Sequence, residues 1–220
     1  MGHFVFIPNW FQGYDFILDF IVLFILVVIV YNFKKVNLYT SSRSSKVFEI
    51  AFFLLIISFF IKDVINLFLY VSYESLGFFF KNLLFYRLLN SIVFYEAGIF
   101  LYRATYLIAF FLIYKQLLKE NCKWDIFGIF SLIVISYFSL INYWLYYLTL
   151  VILLISIIII YYKRILKHDI DNESKRYVFL FFVLIMLSKI MILLLSQNGF
   201  LIGMLFELLG YLFLILSFNS

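Results

Sequence analysis

The chain has 220 residues, of which 66% are hydrophobic and only 13% are charged. An ordinary soluble domain has about 45–50% apolar and about 25% charged residues, and it could not bury so large an apolar surface. The composition therefore excludes a soluble globular enzyme, a secreted disulfide scaffold and a disordered chain. It predicts an all-α, polytopic membrane helical bundle that forms one integral membrane domain over residues 1–220.

Seven apolar runs are candidates for membrane-spanning helices, which need about 20 mainly apolar residues. As a single helix, residues 124–162 would be about 58 Å long, although the hydrocarbon core is only about 30 Å thick. We therefore expect a turn near Ser139–Asn142, followed by the interfacial aromatic cluster Tyr143–Tyr147. The predicted spans are, in chain order, 14–33, 47–70, 91–114, 124–141, 143–162, 177–195 and 200–218.

The positions of the basic residues predict the orientation of these seven transmembrane helices. Twelve of the 17 Lys and Arg residues lie in every second connection, whereas the turns at Asn142 and at Ser196–Gly199 contain none. Cytoplasmic loops carry an excess of Lys and Arg, so we expect the N-terminus outside and the C-terminus inside. The same rule accounts for the net charge of +5. The sequence contains no basic stripe interleaved with exposed aromatic residues, so it does not indicate nucleic-acid binding.

The segment Gly77–Asn90 is rich in Phe and Leu but also contains Lys81 and Arg87. One interpretation is a helix that lies in the outer interface, with both cationic groups extended towards water. The other is a kinked, tilted extension of the third span. Both alternatives are compatible with the sequence.

Ionisable side chains inside the predicted spans gather in the outer half of the bilayer. A charge at the bilayer centre costs about 2.5–3.5 kcal/mol on insertion scales, so such residues normally face a bundle interior or a wet cavity. Lys189 and Glu207 are equally far from Asn198 in the last turn, and we expect them to meet on antiparallel helices. The candidate ligand-pocket residues are Asp15, Asp19, Lys62, Asp63, Asn66, Glu96, Arg103, Lys189 and Glu207.

This clustering of charge has two interpretations. It could form a polar pocket that opens outwards, or each charge could be paired within the bundle and serve packing alone. The seventh span adds Gly199, Gly203 and Gly210, which share a face with Glu207. Glycines at such spacing allow two helices to approach closely. We expect them to pack inside the bundle, because a dimer seam would need a partner charge for Glu207.

Motifs of catalytic and metal sites are absent from the sequence. His3 and His168 lie outside the predicted spans, so no Ser or Cys nucleophile has a His beside it. No zinc-ligand spacing occurs, and the single cysteine, Cys122, excludes an intramolecular disulfide. The last span contains no Lys that could bind retinal as a Schiff base. We expect no metal and no cofactor, and an enzyme is the less favoured class.

Two segments resemble parts of a known group of proteins. They are Pro8–Asp15, which reads PNWFQGYD, and Gly203–Tyr211, which reads GMLFELLGY. Both resemble poorly characterised archaeal seven-helix membrane proteins, whose layout is similar to the membrane sensor regions ahead of histidine kinases. That pattern often has His at the positions of Lys189 and Met204 here, so the resemblance does not imply haem or metal ligation. A Lys189–Glu207 ion pair is the natural replacement.

Together these features favour a sensory or receptor-like module that binds a small ligand in an outward-facing polar pocket. Such a module would signal through a membrane or cytoplasmic protein partner at its inner loops. One alternative is a structural subunit of a larger membrane complex, respiratory if the gene is organellar. Another is a small transporter, against which the apolar inner halves of the spans argue. The expected location is the cell membrane, with an organellar inner membrane as the alternative.

Overall fold

A computed structural model of the protein describes residues 14–40, 43–73, 92–118, 125–167 and 173–218, and these form helices and short turns. The expected all-α class is confirmed over these residues. The segment 77–90, for which an interfacial helix was one expectation, lies outside them. The helices are α1 (Tyr14–Thr40), α2 (Arg43–Tyr73), α3 (Ile92–Leu118), α4 (Asp125–Phe138), α5 (Tyr143–Lys167) and α6 (Glu173–Leu216).

Large apolar side chains cover the outside of the helices as well as their inner faces. On α5, exposed and buried apolar residues each recur every three or four positions, so one stripe faces the bundle and another faces outwards. Such an outer stripe suits lipid, because a helix satisfies its own backbone hydrogen bonds in a membrane. The exposed residues are Trp144, Leu145, Leu148, Ile152, Ile155 and Ile159, and the buried ones are Tyr146, Leu150, Leu154 and Ile157.

Five segments of these helices are long and apolar enough to cross a membrane, and the chain is a membrane protein. α2, which contains Lys62 and Asp63, and the short helix α4 are not among them, so the count of seven spans stays a prediction. The five segments are Ile17–Tyr39, Tyr95–Leu118, Tyr143–Ile165, Glu173–Leu194 and Gly199–Leu216.

The first three helices alternate in direction. The ring of Phe33, late in α1, stacks on that of Phe48, early in α2, with 5.7 Å between centroids. Gln116, near the end of α3, donates a hydrogen bond of 2.7 Å to Ser44, at the start of α2. α2 is therefore antiparallel to both α1 and α3.

The helix α4 is shorter than the span predicted at 124–141. It has 14 residues, which corresponds to about 21 Å. It ends at a turn, Ser139–Ile141, and the Asn142 side chain then accepts a hydrogen bond of 3.2 Å from the Trp144 backbone N–H, which caps α5. The predicted turn is confirmed. Because residues 139–141 form this turn and Asn142 caps α5, α4 ends at Phe138 rather than at residue 141.

The helix α6 folds back on itself. It has 44 residues, yet the Ser174 hydroxyl near its start donates a hydrogen bond of 2.7 Å to the Ser217 carbonyl just after its end. The rings of Tyr177 and Phe213 also stack, with 6.0 Å between centroids. The two arms, Glu173–Leu194 and Gly199–Leu216, are therefore antiparallel, as expected for the predicted sixth and seventh spans.

Helix ends with many Lys and Arg residues meet at one end of the bundle. Arg164, late in α5, donates a hydrogen bond to the Leu117 carbonyl, late in α3. Phe218, after α6, packs edge-on against Phe33 of α1, with 5.0 Å between centroids. We call this the basic end, and the half of the bundle opposite it the distal half. The basic residues on these helix ends are Lys34, Lys35, Lys46, Lys115, Lys163, Arg164, Lys175 and Arg176.

The glycines of the second arm of α6 lie against its first arm. An added Cβ atom at Gly203 would lie 2.7 Å from a side-chain carbon of Ile192 and 2.9 Å from the Ser188 carbonyl oxygen. At Gly210 the nearest backbone atom would be the Phe181 oxygen, at 3.3 Å. These two glycines therefore serve packing within the hairpin, as expected.

We expect Gly203→Ala to destabilise the protein more than Gly210→Ala, because the Ser188 carbonyl cannot move aside as a flexible side chain can. Overpacking of this kind costs about 1–3 kcal/mol. Thermal unfolding of both variants in the same detergent measures the difference. Equal melting temperatures would contradict the tighter contact at Gly203.

Candidate functional site

A buried ion pair joins the two arms of α6 in the distal half. The Lys189 ammonium lies 2.6 Å from a carboxylate oxygen of Glu207, and both residues are buried. They are 18 positions apart, which would separate them by about 27 Å along a straight helix. The fold-back of α6 therefore brings them together, and the expected pairing is confirmed.

Tyr106 of α3 completes the surroundings of this pair. Its hydroxyl donates a hydrogen bond of 2.7 Å to the second carboxylate oxygen of Glu207. Its ring faces the Lys189 ammonium, with 5.1 Å from the nitrogen to the centroid. Glu207 thus binds one donor from the first arm of α6 and another from α3. A cation over an aromatic face gains further attraction when water is excluded.

A second ion pair joins α1 to α2 in the same half of the bundle. The Lys62 ammonium lies 2.6 Å from one carboxylate oxygen of Asp19 and 2.9 Å from the other. Asp19 is buried, whereas the Lys62 side chain keeps 20% of its surface exposed. The ammonium also lies 5.7 Å from the centroid of the Phe59 ring. Lys62 is therefore the more accessible member of this pair.

The two ion pairs are electrostatic neighbours. Lys62 interacts with Glu207 as well as with Asp19, and Lys189 interacts with Asp19 as well as with Glu207. Two positive and two negative groups from α1, α2 and both arms of α6 therefore form one network. We call Asp19, Lys62, Lys189 and Glu207 the charged cluster.

Arg103 of α3 is also buried, but its partners are different. One terminal nitrogen of its guanidinium donates hydrogen bonds to the Ser139 carbonyl and, at 3.0 Å, to the Ser139 hydroxyl. The guanidinium lies over the Tyr146 ring, 5.4 Å from its centroid. Arg103 thus ties α3 to the turn between α4 and α5.

The other predicted site residues lie outside the two ion pairs. Asp63 is buried and interacts electrostatically with Lys62. Asn66 is half-buried, and its amide nitrogen makes no hydrogen bond within the described residues. Glu96 is exposed and is not brought to the charged cluster. The side chain of Asp15 lies outside the described part of the structure. Gly199 is buried with the other hairpin glycines.

Three residues of this region were not predicted as site residues: Tyr106, Ser139 and Tyr146. A sequence signal exists for Tyr106, because a Tyr in the middle of a span needs a partner for its hydroxyl when it is buried. Tyr146 was expected at the interfacial aromatic cluster and is instead fully buried, with 1% exposed. The burial of Tyr146 depends on how α5 packs against α3, and no local sequence pattern determines that packing.

The chemistry available here is ionic and hydrogen-bonding. Among the described residues, no group of three or more His, Cys, Asp or Glu side chains could hold a metal ion. Each acid of the charged cluster contacts a lysine, so the cluster is compensated internally. Cations, carboxylates and tyrosine hydroxyls could instead bind a polar ligand that displaces one partner.

Comparison with known proteins gives no family for the chain. No family model matches it, and neither the curated proteins nor the solved structures contain a match.

We expect the double variant Lys189→Met with Glu207→Leu to be more stable than either single variant. Removing one partner of a buried pair leaves an uncompensated charge and costs about 3–5 kcal/mol, whereas replacing both partners avoids that cost. Unfolding free energies of the four proteins in mixed detergent micelles give the coupling energy. Lys163→Met, at an exposed position of the basic end, is the control and should have little effect. The coupling is absent if the unfolding free energy of the double variant is no higher than that of the less stable single variant.

Proposed function

We propose that the protein is a receptor-like membrane module that binds a small ligand at the charged cluster, on the outer side of the membrane. The observation that carries this proposal is the convergence of Asp19, Lys62, Lys189 and Glu207 in the distal half. Ionisable residues inside a membrane bundle are costly and by default mark functional sites. The core near the basic end is mainly apolar by contrast, with buried residues such as Ile29, Phe110 and Leu214.

The partly exposed Lys62 supports ligand access from the distal side. Its side chain is 20% exposed, while those of Asp19, Lys189 and Glu207 are 8% exposed or less. A ligand that takes over one contact of Lys62 would release Asp19 and disturb the neighbouring pair in α6. Binding at one end could thereby shift the packing of helices whose other ends carry the basic residues. A protein partner at the basic end would receive that change.

The orientation belongs to this proposal. We infer seven membrane crossings, with the basic end in the cytoplasm by the positive-inside rule. The alternating directions of α1, α2 and α3 and the hairpin of α6 support the inference, since they gather the basic helix ends on one side. Resemblance to the membrane sensor regions ahead of histidine kinases agrees with such a layout.

The second candidate is a structural subunit of a larger membrane complex. Internal compensation of the charged cluster favours it, because paired charges can serve packing alone and the complex would then cover the apolar outer surface. Retention of large protein partners during purification, without a small ligand, would support this candidate over the receptor.

The single native cysteine tests the orientation. Cys122 lies between Leu118, the last residue of α3, and Asp125, the first residue of α4. We expect a membrane-impermeant maleimide to label it only after the membrane is permeabilised. The control is Asn142→Cys in a Cys122→Ser background, which places a thiol at the exposed turn of the opposite half and should be labelled in intact cells. Labelling in the reverse pattern would overturn the proposed orientation.

Native mass spectrometry of the protein purified from its own membrane tests ligand binding. We expect a small bound molecule in the wild type and its loss in the double variant Asp19→Leu with Lys62→Met, because both polar contacts of that pair are removed. The matched control is Asn37→Leu with Glu49→Leu, which removes a hydrogen bond of 3.1 Å between α1 and α2 at the basic end. A wild type without a bound small molecule, or equal retention in all three proteins, would refute the proposal.

A further inference from the structure

The guanidinium of Arg103 is a buried cation without a carboxylate partner among the described residues. Its exposed fraction is 8%. Within that part of the chain, its hydrogen bonds come from one terminal nitrogen and go to Ser139 alone. A guanidinium has five N–H donors in a planar fork, so its second terminal nitrogen and its Nε retain donors to which the described residues offer no acceptor.

The end of α4 compensates this cation only in part. Ser139 directly follows α4, and its carbonyl is one of the groups that a helix C-terminus leaves without a backbone partner. The C-terminal end of a helix carries about half a negative charge. The Tyr146 ring adds attraction from its face, at 5.4 Å. The helix end and the ring offset the positive charge only partly, and no carboxylate of the described residues pairs with it.

Arg164 at the basic end provides a useful comparison. It too donates a hydrogen bond to a carbonyl near a helix C-terminus, that of Leu117 in α3. Arg164 is half-buried and lies among exposed basic residues, where its free donors can reach water. Arg103 makes the same contact at a residue that is only 8% exposed, where its other donors have less access to water and a ligand could accept from them.

We infer that Arg103 binds an oxyanion, the carboxylate or phosphate group of a small acid or of a lipid. The unused fork of a guanidinium matches two oxygens of either group with two parallel hydrogen bonds, and such charge-assisted bonds are about twice as strong as neutral ones. The anion also completes the neutralisation that Ser139 and Tyr146 begin.

This binding site is connected to the charged cluster through aromatic rings. The Tyr146 ring contacts the ring of Tyr106, with 6.4 Å between centroids, and Tyr106 is hydrogen-bonded to Glu207. The ligand of the proposed receptor is therefore an acid whose anionic group lies at Arg103. Access of this ligand to Arg103 rests on the proposed function.

The experiment measures anion binding to the delipidated protein in detergent. Sodium phosphate and sodium acetate are titrated at constant ionic strength, with chloride as the compensating anion, and the melting temperature is followed by intrinsic fluorescence. We expect either phosphate or acetate to raise the melting temperature of the wild type. Arg103→Lys keeps the charge but loses the fork, and we expect it to bind about tenfold more weakly. Arg103→Gln should not respond, whereas Arg164→Gln should respond like the wild type.

A second arm distinguishes a lipid from a free acid. Phosphatidylglycerol is added back to the delipidated protein, and native mass spectrometry counts the lipids that remain bound. One lipid retained by the wild type and lost in Arg103→Gln identifies a lipid phosphate as the anion. A response to phosphate or acetate without a retained lipid identifies a free acid. Both results support the site.

Three results would overturn the inference. One is a wild type that neither responds to phosphate or acetate nor retains the lipid, and this measurement needs no variant to fold. Another is an equal loss of the anion-induced rise in melting temperature in Arg103→Gln and Arg164→Gln. The third is a rise in melting temperature that persists in Arg103→Gln. The Asp19→Leu with Lys62→Met variant keeps Arg103 and should keep the anion response. An anion response in the wild type without any bound small molecule from the native membrane refutes the proposed function but not the Arg103 site.

Discussion

The cost of burying charge in an apolar bundle is the constraint on which the arrangement of this protein depends. A charge that leaves water must find an opposite charge or several hydrogen bonds, and a half-satisfied group destabilises the fold. Glu207 meets this requirement with Lys189 and Tyr106. Because those partners come from the first arm of α6 and from α3, satisfying one carboxylate fixes three helical segments relative to one another.

The same requirement divides the bundle into two functional regions. Helices can span lipid without polar partners along their length, and near the basic end the buried side chains are mainly apolar, with the uncharged Ser45 also buried there. In the distal half the helices instead carry groups that must be matched across helix interfaces. The Asp19–Lys62 ion pair joins α1 to α2. The hydrogen bond from Arg103 to the Ser139 carbonyl joins α3 to the turn after α4. A ligand that competed for any of these contacts would act directly on helix packing, as the proposed receptor function requires.

Some contacts could be predicted from the sequence because a short turn between two helices determines which residues lie side by side. Two helices joined by a tight turn place residues at equal distances from the turn side by side, so Lys189 and Glu207 could be paired without knowledge of the rest of the fold. The Asp19–Lys62 pair lies across α1 and α2, whose joining region was predicted to be longer than the two residues between Thr40 and Arg43. Its register depends on how far both helices extend, which hydropathy does not define. Glu96 and Arg103 lie two turns apart on α3, yet Glu96 is exposed whereas Arg103 is buried.

The amino-acid sequence alone determined the membrane class, the helical content, the turn at Ser139–Asn142, and the alternation of basic connections. These follow from composition, from the length of apolar runs and from charge counts, all of which are local properties. Only the tertiary structure decided which charges are neighbours and which side chains complete them. Tyr106, Ser139 and Tyr146 acquire their roles because helices distant in the chain pack at a particular rotation and depth. That geometry results from many small apolar contacts at once, and no single stretch of sequence contains it.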